Sequence, residues 1–101
     1  MSPAQQAPGG IGPDDVPRLS PMFRLQWEEA QGCRVLLYPE GMVRLNGPAG
    51  EILNCCDGVR PVAAIIGELA ERFPDAATLS NDVYQFLDKA HENQWIDYAP
   101  A

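Results

Sequence analysis

Basic side chains are scarce in this chain: seven lysines and arginines stand against fourteen aspartates and glutamates, a formal charge of −7. The seven are scattered singly from Arg18 to Lys89, so no basic patch exists to follow a line of phosphates. Nucleic acid and anionic lipid are therefore disfavoured as partners. Long apolar runs are missing too. None approaches the ~20 residues needed to span a bilayer, and the start of the chain lacks the basic-then-apolar order of a signal peptide. A cytoplasmic protein without a membrane segment is expected. Cysteine is sparse and odd in number, Cys33, Cys55 and Cys56, two of them adjacent, which gives no disulfide framework. With His91 as the one histidine, no Cys/His set has metal-ligand spacing. The three thiols are expected as small packing residues or partly exposed groups, with no metal and no cofactor.

Proline and glycine are concentrated at the start. Residues 1–21 hold five of the ten prolines and three of the nine glycines, with Ile11, Val16 and Leu19 as their only branched apolar side chains. Such a segment buries too little to offset its ordering entropy, so residues 1–21 read as a disordered tail or linker and residues 22–98 as the folded domain. A domain of this size buries only ~60% of its unfolded surface, which leaves little room for a deep catalytic cavity.

Within the body, Phe23, Leu25 and Trp27 alternate with Arg24, Gln26 and Glu28, a period of two that fits a strand with one buried face. Residues 34–38 form a second, more apolar strand. Tyr38-Pro39-Glu40-Gly41 has the proline and glycine of a type I turn, leading into a short third strand over residues 42–45. The period then becomes helical. Asn46 caps a first helix that Gly58 stops; Pro61 opens a second, with Val62, Ile65, Ile66, Leu69 and Phe73 on one stripe, and Pro74 ends it. Ser80 caps a third, with Val83, Phe86, Leu87 and Ala90 inward and Asn93 as its left-handed terminator. The expected fold is α+β and winged helix-turn-helix-like, a three-stranded antiparallel sheet followed by a three-helix bundle.

Catalytic chemistry has few candidates. His91 beside Asp88 could act as a base, yet a surface histidine explains it as well. The glycines at Gly47 and Gly50 lack the spacing and the lysine of a phosphate loop and suit turns. A winged-helix reader of DNA is the alternative by fold analogy. Residues 75–92, however, carry four acidic side chains and only Lys89 as a base, which would repel phosphate. A binding module built on an exposed sheet edge needs neither a catalytic residue nor a basic patch. An extended peptide could pair with residues 42–45, its side chains entering a cleft floored by the third helix. If the Val43 N–H faces outward, proline at that position is expected to delete an edge-strand donor and abolish binding.

The stretches VLLYPEGMVRLN (residues 35–46) and EILNCCDG (residues 51–58), with Asp82-Val83, Phe86-Leu87 and Trp95 beyond them, resemble the PqqD family of pyrroloquinoline quinone biosynthesis. The resemblance covers essentially the whole body. One departure is the pair Asn93-Gln94, where the family commonly has glycine directly before the tryptophan. The resemblance implies a non-catalytic peptide chaperone, a recognition element for ribosomally made and modified peptides. It would bind the precursor peptide PqqA as an added strand and present it to the radical S-adenosylmethionine enzyme PqqE. Carried onto this sequence, the groove takes Met42, Val43, Arg44 and Leu45 from the strand and Val83, Tyr84, Leu87, Asp88 and His91 from the helix. Members of the family also occur fused behind PqqC, and the first 21 residues suit such a linker. A monomer is expected, with a dimer through the free edge as the competing state.

Overall fold

Eight elements build the fold in a computed structural model that describes residues 10–99. They are β1 (Val16–Leu19), β2 (Arg24–Glu28), β3 (Cys33–Tyr38), β4 (Gly41–Arg44), α1 (Gly47–Asn54), α2 (Val62–Arg72), α3 (Leu79–Glu92) and β5 (Ile96–Ala99). The α+β class and the three helices are as expected. The simple order of sheet first and helices after is not, because β1 and β5 form a second antiparallel ribbon that joins the two ends of the chain.

The three-stranded sheet has the order β2-β3-β4, all antiparallel. Its tightest connection is the one the sequence announced, with Tyr38 and Gly41 paired across Pro39-Glu40. Directly opposite residues share a face, so Leu25, Leu36 and Val43 form one row on the inner side, where they meet the hydrophobic core. Trp27 lies on that same face opposite Arg34 but is 56% exposed, because it stands near the end of an edge strand. Its predicted burial is thus incomplete. β3 packs on α1 so closely that a Cβ at Gly50 would stand 3.3 Å from the Arg34 side chain.

The helix signals hold in kind and shift by a residue or two. Asn46 caps α1 through its side-chain Oδ1, which accepts from the Ala49 N–H at 2.8 Å. That helix ends at Asn54, earlier than Gly58. Gly58, at φ 79°, instead turns the chain so that its N–H reaches the Pro17 carbonyl at 3.0 Å. Pro61 is the cap residue of α2 rather than its first helical one. α3 is capped at Thr78, not Ser80, and the Thr78 hydroxyl bonds the Asp82 carboxylate. At its other end Asn93 keeps φ −82°, and the left-handed residue is Gln94 at φ 67°.

The largest correction concerns residues 10–21. Ile11 is only 2% exposed and belongs to the core, and β1 runs from Val16 to Leu19. A helix start leaves its first N–H groups without intrahelical partners. The carbonyls of Pro13 and Asp15 take those of Ala63 and Val62, both at 2.9 Å, so this segment completes α2. Proline is compatible with these roles because acceptance needs only a carbonyl. The part of the predicted tail before residue 10 lies outside the described residues.

Candidate functional site

β4 is an edge strand, and the phase of its hydrogen bonds decides what that edge offers. Leu45 N–H donates to the Arg34 carbonyl at 3.0 Å. In an antiparallel pair, bonded and non-bonded positions alternate. Pairs 36/43 and 38/41 therefore bond as 34/45 does, and Val43 turns its N–H and C=O inward to β3. The main-chain groups of Met42 and Arg44 face the free edge. The condition set for the Val43 proline test, an outward N–H, is therefore not met; the sequence contains no information on bond phase.

The side chains of the four predicted strand residues divide accordingly. Val43 packs partly buried against the core and Leu45 is 5% exposed, so both hold the strand in place. Met42 is 50% exposed, and Arg44 is exposed with its Nη1 donating to Gln31 Oε1 at 2.7 Å.

The five predicted residues of α3 divide too. Val83 and Leu87 are fully buried. Tyr84, Asp88 and His91 share a flank turned toward the N-terminal segment and β5. Asp88 Oδ1 accepts from the Ile11 N–H at 3.2 Å, and the His91 ring lies 4.6 Å from that of Tyr98. Burial, reinforced by the Asp14 and Asp15 carboxylates, pushes the Tyr84 hydroxyl above its ordinary pKa.

The opposite flank of α3 carries Leu79, Asp82 and Phe86 at helical spacing. Leu79 and Asp82 line a cavity of about 380 Å³ together with Pro48 and Ile52 of α1 and Leu69 and Phe73 of α2. Gly47 and Pro48, which follow β4 almost directly, form its near wall. An apolar hollow thus begins where the edge strand ends. Phe86 packs partly buried against the core, as expected, whereas sequence reasoning missed Leu79, since a helix begun at Ser80 leaves it outside; the spacing of residues 79 and 82 was the available signal.

Glu51 stands at the cavity rim and joins three elements. Its carboxylate meets Arg34 of β3 at 3.0 Å and also Arg72 of α2. The Arg34 hydrogen bond, aided by Arg72, holds it below the ordinary carboxylate value despite some desolvation. Cys55 and Cys56 are buried, and burial pushes the Cys56 thiol up to about 12. Its Sγ donates to the Ile52 carbonyl at 3.4 Å. Among the described residues, no group of three His, Cys, Asp or Glu side chains could hold a metal ion, and no helix is long and apolar enough to cross a membrane.

The model of the family Coenzyme PQQ synthesis protein D (PqqD) matches residues 33–96. The chain belongs to the PqqD family. A PqqA binding protein of Azotobacter vinelandii is 52% identical over 84 residues, covering 83% of this chain and 91% of that protein. A PqqA binding protein of Pseudomonas aeruginosa is 55% identical with the same coverage. Among solved structures, the NMR structure of the PqqD truncation of Methylobacterium extorquens PqqCD is similar at a TM-score of 0.72. It is 28% identical and covers 86% of this chain and 94% of that one. That truncation is described as a functional, stand-alone recognition element for ribosomally synthesised and modified peptides. The matched PqqD region runs from the start of β3 to the start of β5, so it contains both β4 and α3.

Proposed function

We propose that this chain is a non-catalytic peptide chaperone of pyrroloquinoline quinone biosynthesis, acting in the cytoplasm. It binds the precursor peptide PqqA as an added strand on β4 and presents it to the radical S-adenosylmethionine enzyme PqqE. The names of its relatives support the peptide as ligand. The observation that carries the mode of binding is the pair of outward main-chain groups at Met42 and Arg44, next to an apolar cavity at the end of the same strand. Main-chain bonds supply register without demanding a particular peptide sequence, and a pocket beside the strand supplies selectivity.

In this reading the winged helix-turn-helix-like frame serves a peptide rather than DNA, in keeping with the charge of −7. Val43, Leu45, Val83 and Leu87 shape the groove from within, while Asp88 and Tyr84 face the N-terminal segment and His91 packs on Tyr98 of β5. The chain works as a monomer, because a dimer paired through β4 would occupy the same edge. The module serves equally on its own or behind PqqC, as in the fused chain of the solved neighbour.

The test is titration of the isotope-labelled chain with the precursor peptide, followed by backbone amide NMR. Saturable shifts centred on Met42, Arg44 and the Leu79 to Phe86 flank are expected. Shifts confined to the β1–β5 ribbon would overturn strand addition at β4, and their complete absence at high peptide excess would overturn the peptide reading.

A further inference from the structure

The three-stranded sheet has a second face, turned away from the helices. Register places Arg24, Leu37 and Met42 in one row across it, and Gln26, Val35 and Arg44 in the next. Val35 is fully buried yet lies outside the main core cluster. Leu37 is half-buried and Met42 half-exposed, so an apolar centre remains accessible. Arg24 and Arg44 stand at opposite corners of it. Glu28 is the face's acidic residue, in the row of Cys33 at its far end.

The charges make this face unlike the rest of the surface. Arg34, Arg60, Arg72 and Lys89 are all engaged by carboxylates. Among the described residues, Arg18, Arg24 and Arg44 have no ion pair, and two of these three lie on the outer sheet face. Arg44 keeps its charge there while bonded to the neutral Gln31 side chain. In a chain of fourteen acids and seven bases, this is where an acidic partner would be attracted rather than repelled.

We propose that the outer sheet face, with Arg24 and Arg44 flanking Leu37 and Met42, docks an acid-rimmed apolar surface of the enzyme that modifies the bound peptide. This rests on the handover proposed above and names the surface that performs it. A peptide added to β4 continues the sheet, so alternate side chains of the peptide stand on this same outer face beside Met42 and Arg44. One enzyme surface thereby meets the arginines and the peptide together, and it distinguishes loaded from empty chaperone.

Arg24 provides the test, because it lies on β2, two strands from the edge that receives the peptide. Arg24→Glu and Arg24→Gln are compared with the wild type in two titrations: precursor peptide alone, and purified PqqE added to the peptide-loaded chain. Peptide affinity is expected to stay within about twofold, which also reports an intact fold. Enzyme affinity is expected to fall about tenfold in Arg24→Glu and less in Arg24→Gln, with a shallower dependence on salt in both. Unchanged enzyme binding by Arg24→Glu overturns the docking face and leaves the handover standing. If Arg24→Glu loses peptide affinity to the same degree as enzyme affinity, the docking assignment also fails. A wild-type complex that never binds the enzyme removes the handover and the docking face together.

Discussion

Asp88 Oδ1 accepts a hydrogen bond from the backbone N–H of Ile11, 77 residues away in sequence, while the Ile11 side chain fills the core at 2% exposure. The two contacts make residues 11–15 part of the domain, together with the Pro13 and Asp15 carbonyls that satisfy the start of α2. Ile11→Ala should lower unfolding stability by about 2–4 kcal/mol through lost burial and the cavity left behind. Deleting residues 1–15 should cost at least as much. Urea melts measure both; a deletion without loss of stability would show that these contacts are replaced by solvent at no cost.

The bond phase of β4 separates two neighbouring substitutions. Proline at Arg44 removes an edge-facing N–H and leaves the ladder to β3 intact, a position where edge strands tolerate proline. Peptide affinity should drop about tenfold or more, with a nearly unchanged melting temperature. Val43→Pro instead deletes a ladder bond and disturbs a side chain packed on the core, so it should unfold the β3–β4 hairpin. Equal peptide affinities for Arg44→Pro and wild type by calorimetry would rule out main-chain pairing at that residue.

These cases mark where sequence reasoning reaches and where it stops. The β3–β4 turn, the Asn46 cap and the buried stripes of α2 and α3 are local, set by residues within a few positions of one another. The β1–β5 ribbon pairs Val16 with Ala99, and neither four-residue strand carries a period that can be recognised alone. The proline-rich segment that holds β1 reads as unstructured until its distant partner supplies the bonds. The site divides along the same line. Alternation identifies an edge strand over residues 42–45 but not which N–H groups face out. A helical wheel finds both flanks of α3, yet only contacts show that Tyr84 and Asp88 face the N-terminal segment and His91 faces β5.

Gln94, directly before Trp95, holds a left-handed conformation, φ 67°, that favours glycine. Its strain is tolerated because the Gln94 N–H bonds the His91 carbonyl and the Trp95 N–H bonds that of Ala90, at 2.9 and 2.8 Å, which close α3 and aim the chain into β5. Gln94→Gly relieves the contact between Cβ and backbone, and should raise stability by about 0.5–1 kcal/mol net of the added freedom of the unfolded chain. Thermal unfolding provides the measure. A lower melting temperature would show that the glutamine side chain contributes more than its backbone costs.

Glu51 ties β3 to α2 across α1, and its pKa lies below the ordinary 4.5 because the Arg34 and Arg72 guanidinium groups favour the charged form. A lowered folded pKa means that the unfolded chain binds more protons in the interval between the two values. The stabilisation is therefore complete above the ordinary value and disappears as pH falls through the lowered one. Glu51→Gln should cost about 1–2 kcal/mol at neutral pH, since it also leaves the half-buried Arg34 without its carboxylate. The gap between wild type and variant should then narrow as urea midpoints are followed into the acid range. A constant gap at every pH would assign the loss to shape rather than charge. The variant also bears on the site: with α1 and α2 less firmly joined, the cavity beside β4 loses a fixed wall, and peptide affinity should weaken at neutral pH in parallel with stability.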